Sequence, residues 1–132
     1  MTLLVDTSVW SLAYRRDTPP DVPEVHALRE ALTTGVRVVC TGIILLELLR
    51  GFPRSPQVIR DQVGALPMIE PTLDEYVEAA SLSNSCRSAG VQLTSVDALI
   101  AALCIAHELT LLTTDHDFRH AGDVIPLRVW SQ

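Results

Sequence analysis

The chain has 132 residues and 14.5 kDa, is 48% hydrophobic and 20% charged, and sets 16 acids against 10 bases for a formal net charge of −6. That size and composition can bury one sizeable core, which excludes disorder and a disulfide-stapled scaffold and predicts a single domain over residues 1–132. The acidic balance excludes coating nucleic acid by bulk attraction, and leaves nucleic acid open as a substrate.

Residues 2–5, TLLV, read as a short buried strand, and Thr7 or Ser8 offers a hydroxyl to cap a helix running towards Arg15 and Arg16. Residues 17–23 read as a loop. Val25, Leu28, Ala31 and Leu32 recur at helical spacing over residues 22–33, with Gly35 placed to end that helix before a β-branched strand at 37–40. Thr41 or Gly42 opens a third helix over 43–50, stopped by Gly51 and Pro53. Ser55 and Pro56 resemble an N-cap and first helical residue for a helix over 57–66.

Met68 and Ile69, set between Pro67 and Pro71, predict a short strand. Thr72 and Glu75 form a capping-box pattern opening a long helix through Ala89, closed by Gly90. Thr94 starts another helix through His107, residues 109–113 read as a strand, and 124–130 as a last strand near an edge. Strands alternating with helices predict an α/β sandwich with a mainly parallel sheet.

Absences narrow the chemistry. All ten bases are arginine, so a phosphate-binding loop that needs lysine, a Schiff-base enzyme and a lysine-dependent phosphotransfer site are excluded. Cys40, Cys86 and Cys104 are odd in number and widely spaced, without a C-x-x-C, which fits a reducing cytoplasm better than a disulfide framework or zinc cluster. The start, MTLLVD, has no basic region, and the longest apolar run covers only residues 98–106, too short to cross a bilayer. A soluble cytoplasmic protein is expected.

Four carboxylates sit at element ends or inside apolar runs, where an unpaired charge is costly to desolvate. Asp6 ends the first strand, where the carboxyl ends of a parallel sheet line a ligand crevice; the alternative is that it caps the next helix. Glu47 interrupts IILLELL, a helix apolar nearly all round; an i, i+3 pair with Arg50 is the alternative to a polar cavity. Asp97 precedes ALIAAL, and with Thr94 it also resembles a capping box, although the small Ala101 one turn on leaves room beside it for an ion or water. Asp115 follows the strand over 109–113 and repeats the placement of Asp6; Asp117 lies two residues on, and one of the two could cap a turn starting at Phe118. One metal site explains all four at once, and oxygen-only ligands select magnesium or manganese. His116 and His120, at i, i+4, raise a zinc alternative that lacks a third nitrogen or sulfur ligand nearby. The absence of G-x-S-x-G disfavours Ser8 or Ser95 as a hydrolase nucleophile.

The segments LVDTSVW, LLELLRG, SVDALIAA and TTDHDF, in that order and spacing, resemble a PIN-domain ribonuclease, and more narrowly the toxin of a VapBC toxin–antitoxin pair. The resemblance implies a three-layer fold with a parallel five-stranded sheet of order 3-2-1-4-5. It implies that Asp6, Asp97 and Asp115 hold magnesium or manganese, with Glu47 behind them or acting through water and Asp117 assisting. It implies hydrolysis of RNA by a metal-activated water, leaving a 3′ hydroxyl and a 5′ phosphate. Thr7, Ser8 and Thr114 match polar positions near the site, and Arg15, Arg16, Arg50, Arg54 and Arg119 lie beside the motifs as candidate phosphate contacts. The implied partners are a VapB-type antitoxin lying in an apolar groove, for which Leu45, Leu48, Leu49 and Phe52 are candidates, and a second copy of the chain. Two rivals stand beside it. A phosphatase using Asp6 as nucleophile lacks a lysine and has Ser8 where a second aspartate is wanted, and a catalytically silent PIN-like module would bind RNA or protein without cutting.

Overall fold

The computed structural model describes residues 1–15 and 21–132, so Arg16 and most of the predicted loop lie outside the described residues. At the centre is β1 (Thr2–Val5). It pairs in parallel with β2 (Arg37–Val39) on one side and β3 (Thr110–Leu112) on the other, and β4 (Arg128–Val129) pairs in parallel with β3. Leu4 of β1 is in register with Val39 and Leu111. Among the described residues the sheet has four strands, in the order β2-β1-β3-β4.

The predicted fifth strand survives as a single parallel bridge between Cys40 and Met68 beyond β2. Cys40 donates to the Pro67 carbonyl at 2.9 Å and Ile69 donates to the Cys40 carbonyl at 2.8 Å. Pro67 and Pro71 have no N–H for a longer ladder, which confines the pairing to this one step. The spatial sequence therefore keeps the expected order with its third member reduced to a bridge. The last strand is likewise shorter than the sequence pattern, because residues 121–125 are folded into turns by Val124 and Ile125 N–H bonds to the Ala121 carbonyl.

Among the described residues seven helices flank the sheet: α1 (Thr7–Ala13), α2 (Pro23–Thr34), α3 (Gly42–Gly51), α4 (Pro56–Val63), α5 (Leu73–Ser88), α6 (Ser95–Ala106) and α7 (His116–Ala121). α1 packs on α2 and α3, α3 on α4, and α5 on α6. Gly35 stops α2 in the left-handed region at φ 80°, as its position predicts. Gly64 ends α4 earlier than the periodicity suggests. A Cβ there would stand 2.2 Å from the Arg60 carbonyl oxygen, so only glycine allows this close approach.

The apolar residues of β1, β2 and β3 are buried, with Leu3, Leu4, Val5, Val39, Leu111 and Leu112 almost wholly inaccessible, joined by Ile44 and Leu48 of α3, Ile100 and Leu103 of α6 and Phe118 of α7. Such continuous apolar runs belong to a sheet covered on both faces. Burying each large side chain contributes on the order of 1.5–3 kcal/mol, which is what holds short strands in place. Among the described residues, no helix is long and apolar enough to cross a membrane.

Candidate active site

The chain crosses from one side of β1 to the other between β2 and β3, so the carboxyl ends of β1 and β3 flank the crevice of a topological switch point. Asp6 follows β1 directly, and its N–H bonds to the Leu112 carbonyl at 2.9 Å, extending the β1–β3 pairing by one residue. Asp115 lies three residues past the end of β3. Glu47 comes from the middle of α3, and Asp97 from the first turn of α6.

Hydroxyls hold these acids. Asp6 is only 7% exposed, and its Oδ2 accepts from Ser8 Oγ at 2.8 Å and from Thr113 Oγ1 at 2.9 Å. Thr7 Oγ1 donates to Glu47 Oε1 at 2.9 Å, tying the start of α1 to α3. Thr94 Oγ1 accepts from the Asp97 N–H at 3.1 Å. The helix after β1 is therefore not capped by Thr7 or Ser8 as expected. Asp6 occupies the cap position without a side-chain cap bond, because all these polar groups are committed to one another.

Asp97 shows how the acids act on each other. Burial pushes its carboxyl up to about 6; hydrogen bonding to Thr94 opposes this, and the charges of Asp6, Asp115 and Glu47 raise it further. Four acids from four separate segments thus share one electrostatic environment. The alternative for Glu47, a pair with Arg50, does not form: Glu47 is bonded to Thr7, and Arg50 is exposed in the last turn of α3, where its charge suits the helix dipole.

Asp115, rather than Asp117, caps the short helix, and that helix begins at His116: Asp115 Oδ1 accepts from the Asp117 N–H at 2.9 Å. Asp117 is exposed, as are His116 and His120. Among the described residues no three His, Cys, Asp or Glu side chains close into a ready-made cage for a metal ion. Carboxylates of like charge hold one another apart, so a hard cation is the group that would draw these four together; the donor set, all oxygen, fits magnesium or manganese. The cysteines are free, buried and inert, with burial pushing Cys104 up to about 12.

The polar and basic candidates separate. Thr114 contributes its backbone N–H to Ser8 Oγ at 3.1 Å. Arg15, Arg50 and Arg54 are exposed. Arg119 instead bonds Glu24 of α2 at 2.8 Å, and that glutamate side chain is only 13% exposed. Leu48 is fully buried and cannot line a groove, whereas Leu45, Leu49 and Phe52 are half-buried. An open groove of about 640 Å³ is lined in part by Ile43 and Leu46 of α3, with Tyr76 and Leu99. Thr113 is the site residue that sequence reasoning passed over. Its only signal was a hydroxyl at the end of a strand two residues before an acid, and its complete burial is a tertiary fact.

The model of the PIN domain matches residues 3–124, nearly the whole chain. The chain belongs to the PIN-domain family. Its fold is similar to that of several solved proteins at low sequence identity. VapBC2 from Rickettsia felis, bound to a DNA fragment from its promoter, matches with TM-score 0.74 and 19% identity over 99% of this chain and 100% of that one. FitAcB from Neisseria gonorrhoeae gives 0.71 and 20% over 98% and 96%. VapC20 of Mycobacterium tuberculosis, a toxin that cleaves the sarcin-ricin loop, gives 0.67 and 18% over 96% and 98%. No curated protein sequence matches the chain. At such identities the likeness is one of fold, and the parallel sheet flanked by helices is common to this PIN domain and to them.

Proposed function

We propose that this chain is one PIN nuclease domain acting as the toxin of a type II toxin–antitoxin pair, a magnesium- or manganese-dependent endoribonuclease of the cytoplasm. The observation that carries the reading is the gathering of Asp6, Glu47, Asp97 and Asp115 about the switch point of the sheet, where burial first, and then the charges of the other three acids, raise the Asp97 carboxyl. A PIN family match over residues 3–124 supports it.

In this reading Asp6, Asp97 and Asp115 hold the ion, and Glu47 acts through water, with Asp117 at the rim. A bound divalent ion would supply Lewis acidity towards the phosphodiester and a more acidic water as nucleophile. The residues of the chain do the remainder. Thr7 keeps Glu47 oriented towards the other acids, and Ser8 and Thr113 orient Asp6. Ser8 Oγ donates to a carboxylate and accepts a backbone N–H, which leaves it unsuited to attack phosphorus itself. The exposed Arg15, Arg50 and Arg54 are the phosphate contacts, since Arg119 has its charge matched by Glu24. A VapB-type antitoxin and a second copy of the chain are the protein partners, the first supported by the fold shared with VapBC and FitAB complexes.

The test is cleavage of RNA with and without magnesium by wild type and Asp97→Asn. Ion-dependent cutting that falls at least about 100-fold in the variant is expected. Equal activity in both, or cutting that ignores chelator, overturns the assignment. A small open reading frame encoding a DNA-binding protein directly upstream supports the toxin half of the reading.

A further inference from the structure

Ser8 and Thr113 share a hydrogen-bonding pattern that neither residue's sequence position explains. Both hydroxyls donate to the same atom, Oδ2 of Asp6, at 2.8 and 2.9 Å. Each also accepts a backbone N–H from the segment after β3: Ser8 from Thr114 at 3.1 Å, Thr113 from Asp115 at 3.0 Å. With both protons given to Asp6, the 3.3 Å approach of the two hydroxyl oxygens is a contact of neighbours. Two independent bridges thus cross from the acid at the end of β1 to the backbone that carries the acid beyond β3. Thr113 is fully buried and Asp6 nearly so, which makes these charge-assisted bonds in a desolvated setting, where they are strongest.

Two donors on one oxygen define the rotation of the Asp6 carboxyl group, and Oδ1 takes neither. We propose that Ser8 and Thr113 are positioning residues, a pair of hydroxyl bridges that fix Asp6 by one oxygen, set the backbone of Asp115, and so preorganise both acids for a divalent cation. The inference rests on the reading of the acids as an ion site. It assigns Ser8 a role other than touching RNA, and gives Thr113 a role. Hydrogen-bonding partners of ligating carboxylates typically change ion affinity about 10–100-fold when removed.

The experiment is calorimetric titration of the full chain with manganese alone, comparing wild type, Ser8→Ala, Thr113→Val and Thr113→Ser, with thermal melting of each in chelator. Thr113→Val keeps the shape and deletes the hydroxyl, and should weaken manganese binding about 10–100-fold. Ser8→Ala should weaken it in the same direction, and Thr113→Ser should restore binding to within about threefold of wild type because its hydroxyl returns. In an Asp6→Asn background, the further loss on Thr113→Val should be smaller than in wild type, since part of its effect passes through Asp6. Folded Thr113→Val and Ser8→Ala proteins that bind manganese as wild type does overturn the inference while leaving the ion site intact. If Thr113→Val does not fold, the half-buried Ser8 carries the same comparison, and unchanged binding by Ser8→Ala overturns the paired bridge. A wild type that binds no divalent ion removes the site reading and this inference with it.

Discussion

Glu75 and Asp97 begin as the same local device. Each follows a threonine N-cap by three residues, each stands in the first turn of its helix, and the two helices, α5 and α6, pack against each other. Their fates are opposite. Glu75 completes a capping box, accepting from the Thr72 N–H at 2.9 Å and from its hydroxyl, and His107 Nε2 at the far end of α6 lies 2.8 Å from its other oxygen. Those bonds from Thr72, helped by His107, hold its carboxyl below the ordinary 4.5 although it is only 8% exposed. Asp97 has its threonine too, yet burial and three neighbouring acids push it up to about 6. An acid that serves the fold finds donors for both oxygens. Asp97 is left among like charges instead, as the proposed ion site requires.

That contrast can be broken by experiment, most sharply through activity. Asp97→Asn should lower metal-dependent RNA cleavage at least about 100-fold, whereas Glu75→Gln should leave the rate per folded molecule within about twofold; comparable losses in both erase the distinction. Divalent ions provide the next largest effect. Magnesium at about 100 times its dissociation constant should stabilise wild type by about 2.7 kcal/mol in chemical denaturation, and Asp97→Asn by far less.

Glu75→Gln should then cost about 1–2 kcal/mol, or roughly 3–8 °C in melting temperature, by breaking the capping box and the link to His107. The sign with pH follows from a lowered value. The stabilisation is fully present above about pH 4.5 and is lost as pH falls through the depressed value of the folded state, so the two melting curves should converge in acid. Convergence on raising the pH instead would contradict the assignment. Asp97 has the opposite sign: a raised carboxyl favours the fold in acid and weakens it as pH rises through about 6. Without ions at pH 8, Asp97→Asn should therefore be more stable than wild type by about 1 kcal/mol, after allowing for solvent screening.

The smallest effects concern the arginines. Arg50→Ala should lower the salt dependence of RNA binding by about one unit of slope, and Arg119→Ala should instead destabilise the fold by about 1 kcal/mol with little change in that slope. A large slope change from Arg119 would mean that its pair with Glu24 opens when RNA binds.

Much of this was legible in the chain. The apolar run Leu3-Leu4-Val5 before Asp6, the threonines at 72 and 94, the glycine at 35 and the proline at 56 all act through local backbone geometry, and the elements they bound appear where expected. Misjudged boundaries trace to local backbone features: the prolines on either side of Met68, the turns over residues 121–125, and Gly64. The strand at Met68 is cut to one bridge, the last strand to two residues, and α4 ends at Val63. Between the two readings of Glu47, a hydroxyl 40 residues away decides against the pair with Arg50 by claiming the glutamate.

The sequence by itself determined the alternation of strands and helices, the four acids in apolar settings and the formal charge of −6, of which Asp6, Glu47, Asp97, Asp115 and Asp117 are an unbalanced share. Periodicity and capping are short-range effects, so they can be read along the chain. Only the tertiary structure decided which threonine-capped acid would be satisfied and which strained, that Thr113 would join Asp6 to Asp115, and that Arg119 would belong to Glu24. Hydrogen bonds and charges act across a few ångströms of space, and residues 105 to 107 positions apart become neighbours only when parallel strands are laid side by side.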